Sequence, residues 1–254
     1  MLEVAVAERT QKLRETNIEL IQQKNKLESI VAARNKFFSI VSHDLRGPVG
    51  NIFQISEMLL SPDLRTEEAF KMLNSAAKQT SDLLENLLTW AKTQKGEIEC
   101  KLESLNVLAE VFECVDLVKN QADKKGISLV VKIDSQVTVV ADRNMFKTVV
   151  RNLLSNAIKF TYSGGSIQLL GKFVNDNKSQ ISVIDEGVGI DKEKATLDIF
   201  YPQKGKTHLG TAGETGSGLG LVLCKEFIDR NKGKIWVESA KGKGSNFSFI
   251  LPSE

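Results

Sequence analysis

The chain has 254 residues, a formal net charge of +2, 26% charged and 41% hydrophobic residues, two histidines and three cysteines. This balance supports one sizeable core or two smaller ones and excludes the global basic field of a nucleic-acid binder. Cys100, Cys114 and Cys224 form no CxxC pair and read as reduced thiols, no apolar run approaches the roughly 20 residues of a membrane helix, and the N-terminus is no signal peptide. The expected location is cytoplasmic, as a soluble chain or as the soluble portion of a longer, membrane-anchored receptor.

Helix breakers are scarce before Gly47, Pro48 and Gly50. Leu13, Leu20 and Leu27 recur every seven residues, and a second series, Val31, Phe38, Leu45, Ile52 and Leu59, begins four residues after the first. That step is how position d hands over to position a in a heptad, so one seam runs through both. Asn17 and Lys24 fall on its a positions, where polar residues cost stability but fix register. A parallel coiled coil leading into a tighter bundle fits. In this frame Leu45 is a, Val41 is d and His43 is f, facing away from the seam. Pro48 lacks the N–H that would bond the Asp44 carbonyl, so a kink is expected beside the histidine.

Ser61-Pro62-Asp63 ends this helix, and a second is expected from about Thr66 to Lys92, with Glu67 and Glu68 in its first turn. Its apolar positions are Phe70, Leu73, Ala77, Thr80, Leu84, Leu87 and Ala91, spaced by threes and fours. One hairpin has too little core to stand alone, whereas two hairpins paired as a dimer make a four-helix bundle.

Gly96 marks a linker, and beyond it the period switches repeatedly. The pattern predicts helices over 104–122, 143–160 and 218–231, and strands over 127–133, 137–141, 166–174, 180–185, 234–239 and 246–251. Asn175-Asp176-Asn177 turns between the third and fourth strands. Short turns beside successive strands predict a mixed or antiparallel sheet covered by helices on one face, without Rossmann-like alternation.

Three stretches of this half can carry chemistry. Asn152, Asn156 and Lys159 fall at i, i+4 and i+7, opposite the apolar face of Val149, Val150, Leu153, Leu154, Ala157 and Ile158. Alone this stripe fits a solvated face, but amide oxygens also suit Mg2+ and the lysine suits phosphate. Asp185-Glu186-Gly187-Val188-Gly189 ends a strand, where a carboxylate beside two glycines can accept a flat ligand's amino group. Thr215-Gly216-Ser217-Gly218-Leu219-Gly220-Leu221 runs into an apolar helix, whose free N–H groups would form an anion site.

Taken together, and in this order, these stretches resemble the sensor histidine kinases of two-component signalling. Phe37 to Pro48 resembles the H box, Asn152 to Phe160 the N box, Asp185 to Gly189 the first glycine box and Gly216 to Leu221 the second, with Phe200 at the F box and Lys243 to Phe249 similar to the closing strand. The resemblance implies an α+β chain: a signalling helix or coiled coil over 1–30, a dimerisation and histidine-phosphotransfer hairpin over 31–94 and a linker over 95–103. A Bergerat-type α/β sandwich that binds ATP would follow over 104–254. It implies autophosphorylation of His43 with Asp44 as general base, and Mg2+ on Asn156 and Asn152. Lys159, Phe160, Phe200, Thr215, Gly216, Gly218, Leu219 and Gly220 would line the nucleotide, with Asp185, Gly187 and Gly189 at the adenine and 201–215 as a lid. The implied partners are a second copy of the chain and a response-regulator receiver. No sensor domain lies within the chain, and no nucleic acid is expected.

Gly47 stands where many relatives carry the Thr or Asn assigned to dephosphorylating the partner, so weak phosphatase activity is expected. Phe200-Tyr201-Pro202-Gln203 departs from the commoner acidic-Pro-Phe pattern. Two other readings compete: a nucleotide-binding scaffold without phosphoryl transfer, and an ATPase of the Hsp90 or gyrase type. The first has no need of the complete site set, and the second uses an acidic residue where Asn152 stands.

Overall fold

The computed structural model describes residues 9–14, 16–24, 45, 47, 49–60, 67–94, 97, 99–175, 177–191, 197–201, 209–214 and 218–253. The described residues between 9 and 24 are helical, with Leu13 and Leu20 exposed on the single chain. Positions 45, 47 and 49–60 are helical too, and their covered stripe is Leu45, Ile52, Ile55 and Leu59. These are a and d positions of the expected heptad frame. The expected kink at Pro48 lies outside the described residues.

Helix α1 (Glu67–Gln94) buries Ala69, Ala76, Leu83 and Trp90, with Leu73, Thr80 and Leu87 half-covered between them. Phe70, Ala77 and Leu84, on the expected apolar series that pairing of two hairpins would bury, are exposed on the single chain. Either series can share a flank with Leu73, Thr80 and Leu87. Leu83 and Trp90 belong to the neighbouring series and enter the core shared with the C-terminal half. Phe70, Met72, Leu84 and Leu88 on α1, with Phe53 and Met58 on the preceding helix, are left as exposed apolar side chains.

The region expected as a helix from 104 begins as strand β1 (Glu103–Asn106), antiparallel to β3 (Thr138–Ala141). Helix α2 (Val107–Lys124) starts only after it, because the Asn106 side chain caps it by accepting from the Ala109 N–H at 3.0 Å. Strand β2 (Ser128–Ile133) lies between α2 and β3 in sequence yet pairs with neither β1 nor β3. An Asx turn, with the Gln136 N–H on Asp134 Oδ1 at 2.8 Å, redirects the chain between β2 and β3.

Helix α3 (Arg143–Phe160) leads into β4 (Ser166–Asn175) and β5 (Lys178–Asp185), and a 3-10 turn follows at Leu197–Phe200. Helix α4 (Gly220–Arg230), β6 (Lys234–Ser239) and β7 (Ser245–Pro252) complete the fold. The main sheet has the order β2-β4-β5-β7-β6 and is mixed, as expected; only β2–β4 is parallel. Across that pair α3 forms one crossover, which the sequence pattern did not show.

The sheet face carrying Ile167, Leu169, Ile181, Val183, Phe247 and Phe249 is dry, and α2, α3 and α4 pack on it. Phe146 of α3 meets Phe249 edge-to-face at 6.0 Å. The next residues along β5 and β7 point to the other face, where the Ser182 and Ser248 hydroxyls bond each other at 2.7 Å.

Asp142 fixes the start of α3. Its Oδ1 accepts from the Met145 N–H at 3.0 Å and its Oδ2 from the Lys101 N–H at 3.0 Å, which docks the chain entering β1. Its own N–H donates to Asn231 Oδ1 at 2.6 Å, at the end of α4. Replacing Asp142 with Ala removes the cap and orphans two N–H groups, at a cost of about 1–2 kcal/mol. Urea unfolding should show a lower midpoint for Asp142→Ala, with Asp142→Asn in between, because the amide keeps one acceptor oxygen and turns an NH2 toward the other N–H.

Candidate functional site

Asp185 ends β5 with its carboxylate 4% exposed. Among the described residues both of its hydrogen bonds fall on Oδ1, from the Gly187 N–H at 2.9 Å and the Ser245 N–H at 3.2 Å. Oδ2 is therefore left to accept from a ligand. Burial pushes the Asp185 carboxyl up to about 6, against the opposing pull of the two N–H groups.

The backbone around this carboxylate tolerates only glycine at three positions. A Cβ on Gly187 would stand 2.2 Å from the Phe160 carbonyl, and one on Gly189 (φ +65°) 2.0 Å from that of Ala240. Gly244 (φ +74°) would put its Cβ 1.9 Å from the Asp185 carbonyl. The loop after β5 thus lies directly on the end of α3, where the Val188 N–H donates to the Phe160 carbonyl at 3.1 Å.

Asn152, Asn156 and Lys159 are half-covered, while Val149, Val150, Leu153, Leu154, Ala157 and Ile158 on the same helix are buried. The amphipathic reading of α3 holds. Asn152 borders the second glycine stretch: a Cβ on Gly220 would be 3.1 Å from Asn152 Oδ1. The cap position of α4 is Leu219, whose apolar side chain supplies no capping bond. Gly218 has φ +65°, a conformation that favours glycine.

Lys159 stands where α3 ends. Its ammonium lies 4.7 Å from the Phe160 ring centroid, and its Cγ would be 2.6 Å from a Cβ on Gly210. Burial pushes the Lys159 ammonium below the usual lysine range, and the nearby Glu214 carboxylate opposes that shift.

Asn152, Asn156, Lys159, Phe160, Asp185, Gly187, Gly189, Gly218, Leu219 and Gly220 therefore belong to α3 and the two segments around it. Phe200 and Leu219 turn their side chains into the core, with Phe200 edge-to-face on Phe247 at 6.4 Å. His43, Asp44, Thr215 and Gly216 lie outside the described residues. Sequence reasoning missed Gly244 and Ser245 as the second wall behind Asp185, although the glycines at 242 and 244 before a strand were a visible signal. It also missed Lys125 and Glu214.

A buried acceptor at a strand end, an amide-and-ammonium helix face and a glycine-led helix N-terminus meet in one α/β domain, the arrangement of a nucleotide site. Residues 141–254 match the family described as histidine kinase-, DNA gyrase B-, and HSP90-like ATPase, and residues 33–96 match the His Kinase A (phospho-acceptor) domain. The non-motile and phage-resistance protein of Caulobacter vibrioides is 32% identical over 240 residues, 91% of this chain and 28% of that protein. The catalytic domain of the histidine kinase ThkA is 30% identical with a TM-score of 0.52, covering 60% of this chain and 96% of that one. ThkA in complex with the response regulator protein TrrA shares the fold at a TM-score of 0.69 and 24% identity, covering 89% of this chain and 64% of that one. The chain belongs to the histidine kinases. It spans well under half the length of the curated relatives it matches from Caulobacter vibrioides, Rhizobium meliloti and Thermosynechococcus vestitus.

The raised Asp185 carboxyl has a consequence for the nucleotide-free protein. Its neutral form is the one the fold favours, so the associated stability is full below about pH 4 and is lost as pH rises through about 6. Urea midpoints measured without nucleotide between pH 4 and 7 should fall in that window relative to Asp185→Asn. Parallel curves for the two proteins would contradict the assignment.

Proposed function

We propose that this chain is an ATP-dependent protein-histidine kinase that phosphorylates His43 and passes the phosphoryl group to an aspartate of a response-regulator receiver. The observation that carries this reading is the Asp185 carboxylate, buried with one oxygen free, beside the Asn152–Asn156–Lys159 face of α3. Asp185 Oδ2 would accept from the adenine amino group while Gly187 and Gly189 let backbone approach the ring. The Lys159 ammonium and the first N–H groups of α4 would hold the phosphates. The amide oxygens of Asn156 and Asn152 fit a hard cation that keeps most of its waters, and Mg2+ bound there would neutralise charge on the transferred phosphoryl group.

A neutral imidazole is nucleophilic near pH 7, because an ordinary histidine pKa of about 6.5 leaves much of it uncharged. One ring nitrogen of His43 attacks the γ-phosphorus, the bond to the β,γ-bridging oxygen breaks, and ADP leaves with that electron pair. Asp44 fixes the tautomer and takes the proton of the other nitrogen. Residues at i and i+1 do not face each other on a straight helix, so this role requires the backbone opened by Pro48 or a rotamer change. The phosphoramidate formed is reactive enough to pass its phosphoryl group to a carboxylate.

The hairpin is proposed to dimerise. Phe53, Met58, Phe70, Met72, Leu84 and Leu88 are exposed on the single chain, and pairing two hairpins would cover apolar faces of this kind. The complex of ThkA with TrrA supports a receiver as the second partner. Among the described residues no helix is long and apolar enough to cross a membrane.

Incubation with γ-labelled ATP and Mg2+ should place an acid-labile, alkali-stable label on the protein, and His43→Ala should abolish it. Nucleotide binding without label would favour a scaffold, and steady phosphate release without label an ATPase of the Hsp90 type.

Gly47 carries a second test. It is helical, and a Cβ there meets nothing within 4 Å, so packing does not demand glycine. The wild-type chain should dephosphorylate its receiver weakly, and Gly47→Thr should raise that rate several-fold while autophosphorylation is retained. An unchanged rate in Gly47→Thr would separate phosphatase activity from this position.

A further inference from the structure

Lys125 lies 33 residues before Ile158, in the last turn of α3, yet its side chain terminates that helix. Its side chain is 8% exposed, and its ammonium donates to the Ile158 carbonyl at 2.8 Å, the Lys159 carbonyl at 2.9 Å and Glu214 Oε1 at 2.6 Å. A buried ammonium has three protons to place, and here three acceptors meet them. Two of those acceptors are last-turn carbonyls, where the negative end of the helix dipole favours a cation.

The third acceptor ties in another segment. Glu214 Oε2 accepts from the Ala212 N–H at 2.8 Å, and the Glu214 carbonyl accepts from the Gly210 N–H at 2.8 Å, so residues 210–214 form a closed turn. That turn is bonded to the end of α3 twice more. The Thr211 N–H donates to the Lys159 carbonyl at 3.0 Å and its hydroxyl to the Thr161 carbonyl at 2.7 Å. Gly210 sits against the Lys159 side chain so closely that a Cβ there would be 2.6 Å from Lys159 Cγ. Burial works against the Glu214 carboxylate, but the Lys125 ammonium and the Ala212 N–H outweigh it and hold it below the ordinary range.

Lys125, Lys159 and Glu214 together carry two positive charges and one negative. One positive charge is left uncompensated, on the side chain that the turn confines. We infer that Lys125 is a positioning residue for nucleotide phosphate: by clamping Glu214 and the turn 210–214 to the end of α3, it sets where the Lys159 ammonium stands. Lys125 does not reach the nucleotide, because its own donors are all used. The inference rests on the nucleotide-binding reading of the site and adds to it a residue outside the five boxes.

The test uses the full chain, titrated with MgATP for Kd and assayed for KM and kcat of autophosphorylation, with Tm measured alongside. Lys125→Met should raise Kd and KM about tenfold, the scale of one charge-assisted contact, with kcat at saturation changed far less. Lys125→Arg should restore most of the affinity. Glu214→Gln is the sharper variant, since it removes a surface-reachable carboxylate and should fold whatever Lys125→Met does. Simple charge repulsion predicts that losing this carboxylate tightens ATP binding, whereas positioning predicts that it weakens it. The double variant should be no worse than either single one, because both break the same clamp.

Tighter binding by Glu214→Gln would overturn the inference. So would additive losses in the double variant, or a lowered Tm with Kd unchanged in both single variants. Failure of the wild-type chain to bind MgATP is a different result: it removes the nucleotide reading itself before any variant is compared.

Discussion

The last turn of a helix leaves four carbonyls without intrahelical partners, and much of the site follows from how α3 solves that problem. The Ala157 carbonyl takes the Thr161 N–H, Ile158 takes Lys125, Lys159 takes Lys125 and Thr211, and Phe160 takes the Val188 N–H. Only the first of these is local. The others bring the end of α2, the turn at 210–214 and the loop after β5 to one point. The loop after β5 carries Asp185 at its root, so the buried carboxylate and the Lys159 ammonium are fixed by the same helix end.

The opposite end of α3 organises the junction with the hairpin. Asn231 is 3% exposed and binds the Asp142 N–H through Oδ1, while its Nδ2 donates to the Phe227 carbonyl at 2.7 Å. Cys100 Sγ approaches Asn231 Oδ1 at 3.6 Å, and Arg230 donates to the Thr93 carbonyl in the last turn of α1. With Trp90 and Leu83 in the shared core, the segment between hairpin and sandwich is docked at both of its ends. One amide and one aspartate thus hold together the N-terminus of α3, the C-terminus of α4 and the chain entering β1.

Elements with a strong period were legible in the sequence. The apolar face of α3 is buried residue for residue, β4 to β7 lie close to their expected ranges, and Asp185 ends its strand as the pattern required. What escaped was whatever depends on partners distant in sequence. Ser104-Leu105 reads as the start of a helix until β3 offers it a ladder. The stripe of α1 that packs within the chain, Ala69, Ala76, Leu83 and Trp90, went unread because Trp90 finds its core in another part of the chain. Lys125 sits in a run of Lys124-Lys125 that any composition argument assigns to a solvated surface, and only the fold reveals three acceptors around it.

The one parallel ladder has a cost in chain connectivity. The pairs β4–β5 and β6–β7 close through short turns, whereas β5 meets β7 only across residues 186–244 and Ser128 meets Ser166 only after β3 and the whole of α3 have been laid down between them. Closing so long a loop spends entropy before any ladder bond repays it, and β2 is at the sheet's edge with a single neighbour. The place of β2 in the sheet therefore depends on the crossover that α3 supplies.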